Sequence, residues 1–386
     1  MKVMAARPAL ALAYFTYFGV LGIFVPYLGL FLDGRGFDSR QIGLMLAIVT
    51  ATRIVGPAVW ASLAERSSKP LAVMQLGAVL ACVGWLGSFI NGGFGLLLAA
   101  LALFSFFWTA ILPQLEVSAF SFLNNDTEQY SRIRSAGSVG YIVLVMLGGW
   151  FYQLYGSEFM PATALAFLLL LVFCLFNLPA QTPEYDTTTP GVSYLQLLRQ
   201  KVLWIFMGAA LLMQISFAPF YGFFTLYSRD LGYSGSQTGL LISLAVAAEI
   251  VAFYYAGRIM RNRSYRTLLG ICYGLTAIRW LMVALLAHSV WWLALSMLLH
   301  AGSFAIAHSC AMQFIQQVFP KAQRGRGQAI YAGLIFGGGG AIGAYLAGLS
   351  WQNGAGAAQT FILAAGFAWL SCLLVLTLPK NIANIE

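Results

Sequence analysis

The sequence predicts an all-α membrane protein, with twelve transmembrane helices in two pseudo-symmetric six-helix halves. Two observations carry most of that prediction. First, 60% of the 386 residues are hydrophobic and only 9% are charged, against about 25% charged in ordinary soluble domains. Second, the apolar residues gather into twelve runs, each near the roughly 20 residues that a bilayer crossing needs. A water-soluble fold of this size would lack the charge to cover its surface, which excludes a cytosolic enzyme, a nucleic-acid binder and a disordered chain. The net charge of +9 would suit nucleic acid only if the basic residues clustered on a soluble face. Here they are scattered between apolar runs.

The runs lie near 8–32, 40–63, 71–90, 94–118, 134–155, 160–178, 201–227, 237–260, 267–288, 292–317, 329–350 and 356–378. Lipid offers no water to unpaired backbone groups, so each crossing is a helix. The alternating segments of about 10 residues that mark a β-barrel are missing. The first run is too long for a signal-peptide core and eleven more follow, so it is expected to stay as a span. The five cysteines (Cys82, Cys174, Cys272, Cys310, Cys372) lie in spans, far apart, and read as packing residues rather than disulfides or metal ligands. Gly338-Gly339-Gly340-Ala341-Ile342-Gly343 fits G-x-G-x-x-G, but no strand precedes it and close helix packing accounts for it. There is no Walker loop and no H-E-x-x-H or G-x-S-x-G motif, so neither ATP-driven transport nor hydrolase chemistry is indicated.

Lys and Arg set the orientation. With the N-terminus inside, 16 of the 21 fall in inside loops and helix ends: Lys2, Arg7, Arg66, Lys69, Arg132, Arg134, Arg199, Lys201, Arg258, Arg261, Arg263, Arg266, Lys321, Arg324, Arg326 and Lys380. Arg35, Arg40 and Arg229 fall outside, and Arg53 and Arg279 lie within spans. This places both termini in the cytoplasm and accounts for most of the positive charge without nucleic acid.

The longest polar break runs from Pro179 to Tyr194 and divides six spans from six. The expected organisation is therefore a six-helix bundle over 1–178, a cytoplasmic linker over 179–200 and a second bundle over 201–386. The halves match at an offset of 196: Gly36-Phe37 with Gly232-Tyr233, Gln41 and Gly43-Leu44 with Gln237 and Gly239-Leu240, Ala136-Gly137 with Ala332-Gly333. Parallel six-span repeats place a substrate site near the bilayer midplane. The turn after the second run, Ala64-Glu65-Arg66-Ser67-Ser68-Lys69, resembles the acidic–Arg–x–x–basic loop of the major facilitator superfamily, without its glycines. Span count, halves and loop together resemble that superfamily over the whole chain, and the resemblance implies its fold and transport by alternating access.

Four charges sit well inside spans: Arg53, Glu116, Glu249 and Arg279. Each costs about 3 kcal/mol at the bilayer centre unless paired or hydrated. They read either as glue between helices or as the lining of a polar cavity. Glu116 and Arg134 lie nine residues on either side of Asn125. Equal helix extension into that turn would put them at equal depth, where an ion pair or a substrate clamp becomes feasible.

The segment from Tyr130 to Tyr141 resembles the corresponding helix of the lactose permease group. The resemblance implies that Glu116, Arg134 and Tyr141 contact substrate. Tyr14–Phe18 with Gly22–Pro26, Ala248–Val251 with Arg279-Trp280, and Leu299–Phe304 with His308 are similar to the phenylpropionate permease branch, a relative of nucleoside:proton symporters. In the lactose permease group, coupling uses an acid on span 8, an arginine on span 9 and a histidine and glutamate on span 10. Glu249, Arg279 and His300 match the first three, while Ser303 stands at the fourth position. The proton carrier therefore does not transfer directly. Glu249 is expected as the main protonation site, with Arg279, His300 and His308 tuning it. The two histidines are eight apart, about 80° around an α-helix.

Arginines outnumber glutamates among the candidate cavity residues, which suits a carboxylate. Tyr14, Tyr17 and Phe18 on the first span and Phe217, Phe220, Tyr221, Phe224 and Tyr227 on the seventh offer aromatic surface, although lipid-facing positions account for part of that set. Arg53, Tyr17 and Tyr221 join the expected substrate contacts. The resulting expectation is a proton-coupled importer of a small aromatic acid in a bacterial inner membrane. It would be a monomer embedded in lipid, with no cofactor beyond the proton gradient and no metal. A proton symporter of a sugar or nucleoside is the alternative, and a proton-driven exporter the second.

Overall fold

The computed structural model describes residues 2–67, 69–123, 126–178, 200–320 and 323–379. Twelve helices are long and apolar enough to cross a membrane. They are α1 (Arg7–Gly34), α2 (Ser39–Ser67), α3 (Pro70–Phe89), α4 (Gly93–Phe122), α5 (Glu128–Tyr155), α6 (Ser157–Phe176), α7 (Lys201–Asp230), α8 (Gly235–Met260), α9 (Tyr265–Leu286), α10 (Val290–Val318), α11 (Arg324–Gly354) and α12 (Ala357–Val375). Among the described residues there is no strand. Each helix overlies one of the twelve apolar runs. Of the expected linker only Gln200 is described; Asn125, Ser68, Arg199, Lys321 and Lys380 lie outside the described residues, as does the side chain of Lys2.

The start of α5 departs from the apolar count, which places it near residue 134. Asp126 caps this helix, accepting from the backbone N–H groups of Glu128 and Gln129 at 3.0 Å each. The Gln129 donors, ahead of the Glu128 one, hold the Asp126 carboxyl below the usual aspartate range. The cap's stabilisation is therefore present above the ordinary aspartate pKa and is lost as pH falls through the lowered value. Glu128 and Arg132 pair at 2.5 Å one turn apart. A charged first turn is helical without being apolar, so α5 reaches below Arg134.

Three spans are interrupted. α4 breaks at Thr109 and Ala110, between helical segments Gly93–Trp108 and Ile111–Phe122. There α2 comes close: a Cβ on Gly56 would meet Thr109 Oγ1 at 2.2 Å. In α10 and α11 the helix widens to π turns over Ala301–Ile306 and Ala332–Gly339. Such turns appear mostly as local insertions, frequently at functional sites.

The chain forms two compact units, Met1–Asp186 with Gly222–Leu240, and Thr187–Tyr221 with Leu241–Glu386. In the first, α1 lies tightly along α5 because glycines meet backbone. A Cβ on Gly22 would fall 2.7 Å from the Tyr141 carbonyl, and one on Gly140 would fall 2.2 Å from that of Phe15. Small residues permit such approach where lipid supplies no hydrophobic drive. The last turns of α7 also pack here. Thr225 donates to the Pro26 carbonyl, and Arg229 pairs with Asp33, both at 2.5 Å.

The repeat has a structural basis at the ends of α1 and α7. Gly36 and Gly232 both take left-handed conformations, φ 81° and 85°. Each ends its helix in a Schellman motif: Phe37 N donates to Leu32 O and Gly36 N to Asp33 O, as Tyr233 N does to Ser228 O and Gly232 N to Arg229 O. The next helices open on matching boxes. Asp38 and Gln41 exchange side-chain and backbone hydrogen bonds, as do Ser234 and Gln237. The shared Gly-aromatic and Gln positions of the sequence are these caps. Asp33 and Arg229 are themselves 196 residues apart.

In the second unit, α9 packs on α12, where Cys372 Sγ donates to the Gly270 carbonyl at 3.2 Å. All five cysteines are free and buried.

Replacing Gly140 with valine should destabilise the protein by about 1–3 kcal/mol through overpacking, while Gly366→Val, where a Cβ meets nothing within 4 Å, should be close to neutral. Thermal unfolding of the two purified variants checks this. Equal midpoints would remove the α1–α5 contact as a constraint.

Candidate substrate and proton sites

In the first unit, Glu116 on α4 and Arg134 on α5 come together, with Oε1 and Nε 3.7 Å apart and roughly a third of each side chain exposed (37% and 33%). The separation is loose for a bidentate pair, leaving both groups with unused hydrogen-bonding capacity. The guanidinium lies over the Phe18 ring at 4.3 Å and near that of Tyr14 at 5.8 Å. Tyr130 stacks on Phe120 with centroids 4.0 Å apart and meets Tyr14 edge-on at 6.5 Å. The Tyr14 hydroxyl is buried beside that of Tyr130. The pair therefore sits in an aromatic surround with two phenol hydroxyls close by.

Tyr17, also on α1, is buried and stacks on Trp108 at 4.4 Å. Arg53 on α2 is exposed and lies within electrostatic reach of Tyr17. Tyr141 stands apart from the pair. Seven residues carry it about 10 Å along α5 from Arg134, where its carbonyl faces Gly22 and its ring lies within reach of Tyr27. Sequence reasoning did not single out Trp108, Phe120 or Tyr130 as site residues. Phe120 lies one turn beyond Glu116, which was the available signal.

In the second unit three predicted residues form a connected chain. Arg279 Nη1 lies 2.8 Å from His300 Nδ1, and His300 Nε2 lies 3.4 Å from Glu249 Oε2. A guanidinium carries only donors, so Nδ1 must accept. The proton of the neutral imidazole then sits on Nε2, facing the carboxylate. His300 thus bridges cation and anion. A second proton on Nδ1 would point at the guanidinium, so the geometry holds His300 neutral.

Arg279 is wholly inaccessible to solvent. Its guanidinium packs on Trp280 and Phe220, at 4.3 and 4.5 Å from their ring centres, and also donates to Ser303 at 3.3 Å. Tyr221 stacks beside Phe217 at 5.7 Å and lies within electrostatic reach of Arg279. Ser303, at the place of a carboxylate in the lactose permease group, is here a partner of the arginine.

His308 does not lie 80° round the helix from His300, as uniform α-helical spacing would put it. His300, Phe304 and His308 stack face to face, with centroids 5.5 and 5.8 Å apart and planes within 17° and 3°. Four α-helical residues overshoot a full turn by about 40°; the wider π turn undershoots and cancels the drift. His308 Nδ1 is buried with no hydrogen-bond partner among the described residues. It borders a cavity of about 30 Å³ shared with Gln214, Tyr273, Ser303 and Tyr331, which is room for water and too little for an organic acid.

A family model, the MFS_1 like family, matches residues 8–363. The chain belongs to the MFS_1 like family. It is a secondary transporter of the major facilitator type, a multi-pass membrane protein that takes a small-molecule substrate. Among curated relatives of this MFS_1 like chain, the probable 3-phenylpropionic acid transporter of Escherichia coli K12 is 28% identical over 376 residues, 95% of this chain and 94% of that one. The maltose permease of Geobacillus stearothermophilus is 23% identical, covering 91% and 90% of the two chains. The crystal structure of the nucleoside transporter NupG superposes with a TM-score of 0.85 at 16% identity over 99% of this chain and all of that one. These relatives and neighbours are transporters, not enzymes.

Arg134→Lys keeps the charge and loses the planar fork. It should raise the KM of uptake about tenfold or more, the worth of one charge-assisted hydrogen bond. Initial rates against substrate concentration check this, and an unchanged KM would remove Arg134 from the site.

Proposed function

We propose that the protein imports a small aromatic carboxylate, of the phenylpropionate kind, together with a proton, by alternating access. The Arg279–His300–Glu249 chain carries the reading. With Glu249 ionised, the buried guanidinium and the carboxylate balance through a neutral imidazole. A proton on Glu249 leaves the guanidinium without an opposing charge, and a substrate carboxylate, admitted when alternating access opens the buried cluster, restores the balance. Substrate and proton then favour each other's binding. Phe217, Phe220 and Trp280 around Arg279 offer aromatic surface beside that charge. The cavity at His308 has room for the water that would bring the proton. One proton with one carboxylate moves no net charge, so uptake should respond to a pH gradient and not to membrane potential.

A proton symporter of a sugar or nucleoside is the second reading. The part-exposed Glu116–Arg134 pair with its stacked aromatics favours it, since hydroxyls and flat rings suit that surround. The similarity to proteins described as a maltose permease and a nucleoside transporter also supports it. In either reading the Lys/Arg distribution supports cytoplasmic termini, and the bacterial origin of the curated relatives supports an inner-membrane location. We infer a monomer without a cofactor.

Competition in proteoliposomes separates the two substrates: inhibition by nucleosides or glycosides, and none by 3-phenylpropionate, would overturn the acid reading. Glu249→Gln should abolish uptake driven by a pH gradient while sparing counterflow exchange of substrate. Wild-type uptake in that variant would contradict Glu249 as the proton site. Imposed potassium diffusion potentials should leave the wild-type initial rate unchanged, and acceleration by an inside-negative potential would contradict electroneutral coupling.

A further inference from the structure

An apolar groove of about 680 Å³ runs along the second unit between α8 and α10, and none of Arg279, His300 and Glu249 lines it. Its cause is local. Ala248 and Ala252 follow each other at one-turn spacing on α8, and Ala301, where the π turn begins, faces them from α10. Three methyl side chains leave a trough where larger residues would have closed it. Its walls are apolar, with Val251 and Leu298 both exposed at its rim.

One end of the groove differs. Arg258 and Arg263 line it there, both exposed. Arg258 lies 5.8 Å from the Tyr255 ring centre, and the neighbouring Tyr254 is 79% exposed, as tyrosines are at the depth where lipid meets water. The turn that carries Arg263 is fixed by Asn262, with φ 59°, and by the Ser264 cap of α9. Four arginines (Arg258, Arg261, Arg263, Arg266) fall in this stretch with no acidic residue between them. None of the four has a carboxylate within ion-pair distance among the described residues.

We propose that this groove holds one anionic phospholipid of the surrounding bilayer, an acyl chain in the trough and the headgroup phosphate between Arg258 and Arg263. The two ends match that molecule's own division into apolar tail and anionic head. A free phosphate would use the arginines and leave the apolar trough empty. A helix from a second copy, about 10 Å across, is far wider than a trough floored by three alanines. Basic pockets between transmembrane helices are suited to acidic headgroups on electrostatic grounds alone. The proposal is independent of the transported substrate.

Native mass spectrometry of the full chain, released from micelles holding equal dioleoyl-phosphatidylglycerol and dioleoyl-phosphatidylcholine, tests it. One phosphatidylglycerol should be retained per chain in preference to phosphatidylcholine. Each arginine near the headgroup favours an anionic lipid about fivefold, so Arg258→Ala/Arg263→Ala should lower that retention about 25-fold. Arg261→Ala/Arg266→Ala, which alters the same turn outside the groove, should not. Ala252→Trp, which fills the trough and leaves the arginines, should also displace the lipid. Equal retention of both lipids, equal loss in the two arginine pairs, full retention in Ala252→Trp, displacement by millimolar glycerol phosphate, or a second chain in place of lipid would each overturn the proposal.

Discussion

A fully buried guanidinium in the middle of α9 is the constraint around which the second unit is organised. An arginine at that depth costs about 3 kcal/mol on insertion scales unless it is compensated, and Arg279 has no solvent access. The compensation comes from three directions. The ring faces of Trp280 and Phe220 cover the cation, Ser303 and His300 accept from it, and Glu249 supplies the opposite charge at one remove. His300 can serve only as a neutral acceptor on one side and a donor on the other. That single requirement fixes its tautomer and points its second nitrogen at Glu249.

His300 also stacks on Phe304, and Phe304 on His308, along α10 where the helix widens over Ala301–Ile306, with the small cavity beside His308. Glu116 and Arg134 in the first unit are built differently. Their charges are about one-third exposed and 3.7 Å apart, so solvent shares the compensation and the pair has capacity to spare for a polar ligand. One cluster holds a charge rigidly, and the other presents charges to whatever enters.

Most of the architecture was legible because lipid makes secondary structure and hydropathy nearly the same signal. Twelve apolar runs gave twelve helices for that reason. Where the chain breaks this equivalence, the reading fell short. The first turn of α5 is helical and charged, and its start depends on a cap at Asp126 that apolar counting does not see. The interruption of α4 at Thr109 falls four residues before Pro113, which has no N–H to give the Thr109 carbonyl, a signal that apolar counting passes over. The π turns over Ala301–Ile306 and Ala332–Gly339 are invisible to apolar counting, and the 80° between His300 and His308 assumes uniform α-helical spacing. The weak repeat at an offset of 196, by contrast, was legible because its residues are caps: Gly36 and Gly232 occupy the same left-handed position. Among candidate site residues, charges inside spans stood out because membranes exclude them. Trp108, Phe120 and Tyr130 did not, since aromatics are common in spans whether or not they line a site.

The central claim is that substrate binding puts a proton on Glu249. Substrate-induced infrared difference spectroscopy of the reconstituted protein reads that event directly. Addition of 3-phenylpropionate near neutral pH should produce a protonated-carboxyl C=O band that persists in Glu116→Gln and vanishes in Glu249→Gln. A band that survives unchanged in Glu249→Gln, with substrate still bound, would contradict the account.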